Sequence, residues 1–163
     1  MKTINTVAEL RTTVARWRAN GERVALVPTM GNLHVGHLQL VERARKNANR
    51  VIVSIFVNPM QFSNLNGDSG DFERYPRTFE DDSKKLSAMD CRPDIIFAPS
   101  VQAMYPTGFE RETRIEVPAI SNILCGEFRP GHFVGVATVV AKLFNMAQPD
   151  VAVFGEKDFQ QLL

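Results

Sequence analysis

The chain has 163 residues, a length that suits one domain with a sizeable buried core. It is 44% hydrophobic and 23% charged with a formal net charge of +1, so bulk electrostatics give no case for a nucleic-acid or membrane partner. Cys91 and Cys125 lie in no CxxC or metal-ligand spacing, no apolar run of signal-peptide length follows Met1, and no window reaches the roughly 20 apolar residues of a membrane span. A reduced, soluble, cytoplasmic protein is expected, with small anions as ligands held by local geometry.

In chain order, Val7, Leu10, Val14 and Trp17 predict an amphipathic helix over 6–19, ended by Asn20-Gly21. Residues 23–28 (RVALVP) form a short apolar run of buried parallel-strand type. A turn over 31–36 leads to a helix over 37–46. Residues 51–57 (VIVSIFV) are the clearest strand, ended by Asn58-Pro59. Residues 63–71 (SNLNGDSGD) form a polar loop, either mobile or merely solvated. A helix is predicted over 78–89 with Thr78 as N-cap and Asp81 or Asp82 near its first turn. A third strand over 94–98, an apolar helix over 136–147, a fourth strand over 150–154 and a helix beyond Gly155 complete the series. The last helix looks cut off at Leu163, as a fragment or a single-domain piece would be. Strands alternating with helices define an α/β fold with a parallel sheet. Three polar stretches (29–37, 58–61 and 155–161) follow strands, and ligands in such sheets bind beyond the strands' carboxyl ends.

His34-Val35-Gly36-His37 stands at a strand-to-helix turn. A helix N-terminus offers free N–H groups and partial positive charge to a phosphate, Gly31 and Gly36 let the backbone approach a nucleotide, and imidazoles donate to phosphate oxygens. The competing readings are a metal pair, for which His132 is the one other histidine, and rings that simply pack. GxxxxGK[ST] and GxGxxG are absent, which excludes Walker-type ATPases and Rossmann dehydrogenases by motif. The Gln61 amide both donates and accepts, which suits a ligand with a hydroxyl and a carboxylate; a solvated glutamine is the plainer reading. In 155–161 (GEKDFQQ), Gly155 permits close approach, Lys157 places a charge beside a phosphate or ribose, Asp158 is a candidate helix cap, and Gln160 and Gln161 lie about 100° apart, so one of them faces the site. Arg129, beside Pro130-Gly131, either clamps a phosphate or is solvated.

The blocks VPTMGNLHVGH, VSIFVNPMQF, YPRT, RPGHF, VVAKLFN and FGEKDFQQL, in that order across essentially the whole chain, resemble the pantothenate synthetase family of HIGH-motif nucleotidyltransferases. The resemblance implies a Rossmann-like doubly wound sheet and a two-step reaction. ATP and (R)-pantoate give pantoyl adenylate and pyrophosphate; β-alanine then attacks the acyl adenylate and releases AMP. It implies that Met30, Gly31, Asn32, Leu33, His34, Val35, Gly36 and His37 line ATP, with His37 as proton donor and His34 steadying the phosphates. Gly155, Glu156, Lys157 and Asp158 contact adenosine, Lys157 also acting in catalysis, and Gln61 and Gln161 hold pantoate. Arg129 joins the substrate ligands, and Asp81 and Asp82 match positions near Mg²⁺. On chemical grounds we expect both histidines to act as electrostatic stabilisers, because carboxylate attack on the α-phosphorus needs no obligatory proton. Val134 departs from the arginine common in the family's GHFRGV. The resemblance further implies one ATP/pantoate-binding domain over 1–163 without the family's downstream Ser/Arg-rich loop and C-terminal lid, hence a piece that folds but is inactive or nearly so. It also implies a homodimer, with an edge strand around Val117. The alternatives are another HIGH-type adenylyl- or cytidylyltransferase and a non-catalytic nucleotide-binding module.

Overall fold

The computed structural model describes residues 1–62, 70–108 and 111–163; most of the polar 63–71 stretch therefore lies outside the described residues. Five strands are β1 (Lys2–Ile4), β2 (Val24–Thr29), β3 (Arg50–Ile55), β4 (Ile95–Phe97) and β5 (Val151–Ala152). They form one parallel sheet in the order β1-β4-β3-β2-β5. Among the described residues, eight α-helices accompany them: α1 (Val7–Ala19), α2 (Val35–Asn47), α3 (Gly70–Arg74), α4 (Phe79–Ser87), α5 (Val101–Met104), α6 (Cys125–Phe128), α7 (His132–Ala147) and α8 (Phe159–Leu162).

Strand side chains alternate between two apolar layers. Val24, Leu26 and Ile52 pack with Leu10, Val14 and Trp17 of α1 and Val139 and Leu143 of α7. Ala25, Val27, Val51 and Val53 pack on the other face with Val41 and Ala44 of α2 and Leu86 of α4. Both faces are covered, which is why these strands read as continuous apolar runs rather than as alternating ones. Asp94 pins the sheet's amino edge: its carboxylate accepts the Val51 N–H at 2.9 Å and pairs with Arg45 at 2.7 Å and Arg50 at 2.9 Å.

From β2 the chain runs outward to β3 and β4, then α7 carries it back to the other side of β2, where β5 pairs Ala25 with Val151 and Leu26 with Ala152. The connections reverse direction between β2 and β5, and in open α/β sheets the ligand crevice opens at that reversal. The 29–37, 58–61 and 155–161 stretches leave the carboxyl ends of β2, β3 and β5, three adjacent strands.

Several boundaries differ from the sequence reading. β1 was hidden because three residues of edge strand carry almost no periodicity. Helix α2 begins at Val35, since His34 caps it, and α7 begins at His132, where Gly131 at φ +82° turns the chain. The strand expected over 150–154 pairs over two residues, after which Val153 makes one further bond to Leu26 and the chain leaves the sheet. Thr78 occupies the N-cap of α4 but makes no side-chain cap; its hydroxyl donates to Asp82 instead. The edge strand expected around Val117 is absent: Val117 sits in irregular backbone, its N–H donating to Ser121 Oγ at 3.1 Å. No helix among the described residues is long and apolar enough to cross a membrane.

Candidate active site

The turn after β2 is fixed by a residue fifty positions downstream. Gly31 (φ +84°) and Asn32 (φ +52°) are consecutive left-handed residues, which turn the N–H groups of Asn32 and Leu33 inward. Both donate to Asp82, at 2.9 Å to Oδ2 and 2.7 Å to Oδ1, and Asp82 is fully buried. A Cβ on Gly31 would lie 3.1 Å from the same carboxylate. Lys85 closes the turn by donating to the Leu33 carbonyl at 2.7 Å.

That anchored turn delivers the two histidines. The His34 ring accepts the Gly36 N–H at Nδ1 (3.1 Å), and the His37 ring accepts the His34 N–H at its own Nδ1 (3.3 Å), a reciprocal cap at the N-terminus of α2. A ring nitrogen that accepts an N–H carries no proton, so each imidazole holds its proton at Nε2. The rings lie 4.2 Å apart, and a Cβ on Gly36 would come within 2.9 Å of the His34 ring. Burial, and then the neighbouring His34, lower the His37 pKa from 6.5. His37 therefore presents a neutral N–H donor rather than an imidazolium.

Gln61 closes a 3-10 turn (Pro59–Gln61) beyond β3 and is buried. Asn58 Nδ2 donates to Gln61 Oε1 at 3.2 Å and to the Gly135 carbonyl at 3.1 Å, while Asn58 Oδ1 accepts from the Met60 N–H at 3.3 Å and the Tyr105 hydroxyl at 2.7 Å. Gln61 Nε2 points toward Met30 Sδ, 3.2 Å away, on the turn below the histidines. Helix α7 presses directly on this turn, since a Cβ on Gly135 would fall 2.6 Å from the Gln61 nitrogen. His132, at the start of α7, meets the Gln61 carbonyl at 2.9 Å. A carbonyl only accepts, so His132 carries its proton at Nδ1, the opposite tautomer to His34 and His37. Burial is the main cause that lowers its pKa.

Beyond β5, Gly155 lies against Leu40 of α2, with 3.9 Å between its would-be Cβ and that side chain. Glu156, Lys157 and Asp158 form an exposed 3-10 turn, and the charges of Asp158 and Lys157 act on His37. Gln160 is engaged elsewhere: its amide takes the Cys125 N–H and donates to the Ile120 and Ile123 carbonyls. Gln161, about 100° further round the helix, is half-buried. Arg129 ends α6 and is exposed, its charge acting on His132.

The two aspartates matched to Mg²⁺ sit in different surroundings. Asp82 spends both oxygens on protein donors, Asp81 is exposed beside Lys84 at 3.3 Å, and no group of three metal-ligating side chains occurs among the described residues. Lys85, Tyr105 and Gly135 carry no signal in the sequence, and Asn58 carries one only as part of the 58–61 stretch. Asn58 reads as a strand-ending Asn-Pro turn, and the others reach the site through long-range hydrogen bonds and packing that a pattern within one segment does not carry.

A parallel α/β domain with an HxGH-capped helix at its sheet reversal is of the HIGH-motif nucleotidyltransferase type. The family model described as Pantoate-beta-alanine ligase matches residues 2–163. A pantothenate synthetase of Azotobacter vinelandii is 57% identical over 162 residues, covering 99% of this chain and 55% of the relative. That of Alteromonas mediterranea is 58% identical with the same coverage. Among solved structures, pantothenate synthetase from Thermus thermophilus superposes with a TM-score of 0.86 at 52% identity, over 99% of this chain and 54% of the other. A Francisella tularensis pantoate-beta-alanine ligase complexed with beta-gamma ATP and beta-alanine gives 0.88 at 39% identity, over 99% and 59%. The chain belongs to the pantoate-beta-alanine ligase family, and it spans about half the length of the curated relatives it matches.

Proposed function

We propose that this chain binds ATP and (R)-pantoate for AMP-forming activation of the pantoate carboxylate, which β-alanine then captures as an amide. The observation that carries the reading is the pairing of two imidazole N–H donors at a helix N-terminus with the buried Gln61 amide, whose Nε2 lies 3.2 Å from Met30 Sδ on the same turn; on this reading Gln61 and Gln161 hold the acid. The triphosphate lies along the turn from Met30 to His37, with Gly31 and Gly36 giving it access and the α2 N-terminus favouring its charge. A pantoate carboxylate oxygen forms a bond to the α-phosphorus as the bond to pyrophosphate breaks. His34, His37 and Lys157 stabilise the charge gathering on the phosphate oxygens. The β-alanine amine then attacks the acyl carbon, AMP leaves with the bonding electron pair, and the amine proton is lost. His37 serves as a neutral donor and not as an acid, in keeping with its lowered pKa.

Gly155 to Asp158 flank the adenosine, and Arg129 stands at the rim. Mg²⁺ enters with the nucleotide's phosphates, because the aspartates of α4 offer it no cluster. Asp82 is a positioning residue for the phosphate-binding turn. A cytoplasmic homodimer belongs to the same proposal; the exposed apolar side chains Ile115, Val117, Ile123, Leu124 and Phe128 support self-association. A site for a phosphorylated acceptor, as another nucleotidyltransferase needs, would place Arg or Lys where Gln61 stands.

Titration calorimetry with ATP, with (R)-pantoate and with phosphopantetheine tests the reading. Binding of the first two, and loss of pantoate binding in Gln61→Glu, is expected. Binding of phosphopantetheine in preference to pantoate would reject it.

A further inference from the structure

We propose that Tyr105 is a positioning residue that steadies the Asn58–Gln61 amide relay, so that the Gln61 NH₂ is held toward the ligand and the site selects an acceptor oxygen there. The identity of the ligand as pantoate rests on the reading above; the orientation of the amide does not.

The argument is one of fixed polarity. The Met60 N–H can only donate and the Gly135 carbonyl can only accept, and both touch the Asn58 amide, at 3.3 and 3.1 Å. Asn58 therefore places its oxygen toward Met60 and its NH₂ toward Gly135. Its second N–H is then left for Gln61 Oε1, 3.2 Å away. With that oxygen occupied, Gln61 turns its own NH₂ toward Met30 Sδ. A thioether is a weak acceptor, so an arriving carboxylate or hydroxyl oxygen takes those protons readily. A ligand with an ammonium or amide NH₂ at that place would meet donors with donors.

Tyr105 holds the start of this relay. Its hydroxyl donates to Asn58 Oδ1 at 2.7 Å, the shortest contact in the set, whereas the Met60 N–H alone would grip the same oxygen at 3.3 Å. Tyr105 follows α5 and is itself fully buried. Its ring lies 5.1 Å beneath the Lys142 ammonium, which pairs with Glu112 at 2.6 Å. Burial, and then Glu112, push the phenol pKa well upward, so the hydroxyl remains a donor at working pH.

Tyr105→Phe deletes the hydroxyl and leaves the ring beneath Lys142. Two readouts on the wild-type and variant chains decide the matter: the side-chain amide ¹⁵N–¹H signals of Gln61 and Asn58, and calorimetric titration with (R)-pantoate and ATP. The expected result is displaced or broadened Gln61 and Asn58 signals, pantoate affinity lower by about 5-fold and ATP affinity within about 2-fold of wild type. Unmoved amide signals, unchanged pantoate affinity, or an equal loss for ATP and pantoate would each overturn the proposal, the last by showing a general structural effect. Failure of the wild-type chain to bind pantoate would overturn the functional reading instead. Tyr105 would then be judged on the amide signals, moved for and unmoved against.

Discussion

The Asp82 carboxylate accepts the Leu33 N–H at 2.7 Å across a gap of forty-nine residues in sequence. The same carboxylate takes the N–H of Asn32 and the hydroxyl of Thr78, so helix α4 and the turn after β2 are tied at one buried point. Asp82→Ala strands the buried Leu33 N–H and the part-buried Asn32 N–H and is expected to cost about 1–3 kcal/mol of stability, measured by urea denaturation. Asp82→Asn keeps one acceptor oxygen and should cost less. If Asp82→Ala instead left stability intact and abolished Mg²⁺ binding in the absence of nucleotide, the carboxylate would be a ligand and not an anchor.

Gly36 gives a second prediction. A methyl group there would lie 2.9 Å from the His34 ring, and the ring would have to leave the Nδ1 position that caps α2. Gly36→Ala is expected to weaken ATP binding by about 10-fold, since both the helix terminus and one imidazole donor are displaced. Ala is otherwise the better helix former, so stability should change by no more than about 1 kcal/mol. Calorimetry and thermal melts on the same samples check both halves.

The His37 pKa sets a third. It lies below 6.5, so the ring is neutral above that pH and presents Nε2–H. ATP affinity is expected to be flat between about pH 6.5 and 8.5, apart from ionisation of the nucleotide itself. A site that required an imidazolium would lose affinity by about tenfold for each pH unit in that range. His37→Gln, which keeps an N–H donor, should retain more affinity than His37→Ala.

How far the sequence speaks is visible in these same residues. The apolar runs of β2 and β3 and the HxGH turn are local signals, and the structure places them as expected. The order of strands puts the three polar stretches on neighbouring strand ends, as their positions after strands implied. Asp82 shows the limit: an aspartate in the first turn of a helix looks the same in sequence whether it caps, binds a metal or reaches across to a loop. The opposite tautomers of His34 and His132 are equally invisible until the chain folds, because a carbonyl from Gln61 and an N–H from Gly36 decide them. Two-residue β5 and three-residue β1 exist through pairing with their neighbours, not through their own pattern.

Asp94 governs behaviour in acid. Burial alone would raise its pKa, but the Val51 N–H, Arg50 and Arg45 outweigh burial and hold it below the ordinary aspartate value of 3.8. A carboxyl whose folded pKa is depressed contributes stability above its unfolded pKa and loses it as pH falls through the folded value. The wild-type chain should therefore weaken below about pH 4 partly through this group. Asp94→Asn should be less stable by about 1–3 kcal/mol at pH 7 and show a shallower loss on acidification, read from denaturation midpoints between pH 7 and 3.

Gly135 separates the two halves of the site. In a helix interior, alanine in place of glycine ordinarily stabilises by about 1 kcal/mol. Here the added Cβ would fall 2.6 Å from the Gln61 nitrogen, 2.7 Å from its Cα and 2.8 Å from the Met60 carbonyl carbon. All three are backbone atoms and cannot rotate away, so α7 must retreat from the Pro59–Gln61 turn. That retreat also loosens Asn58, which donates to the Gly135 carbonyl, and His132, which meets the Gln61 carbonyl. Gly135→Ala is therefore expected to destabilise by about 1–3 kcal/mol despite its better helix propensity, and to weaken pantoate binding by about 10-fold. The turn after β2 hangs on Asp82 and Lys85 of α4, and among the described residues it has no side-chain bond to α7. ATP affinity should consequently fall by less than pantoate affinity. Thermal melts and paired titrations with the two ligands measure this, and a stabilised variant with unchanged pantoate affinity would show that the α7 contact does not set the position of Gln61.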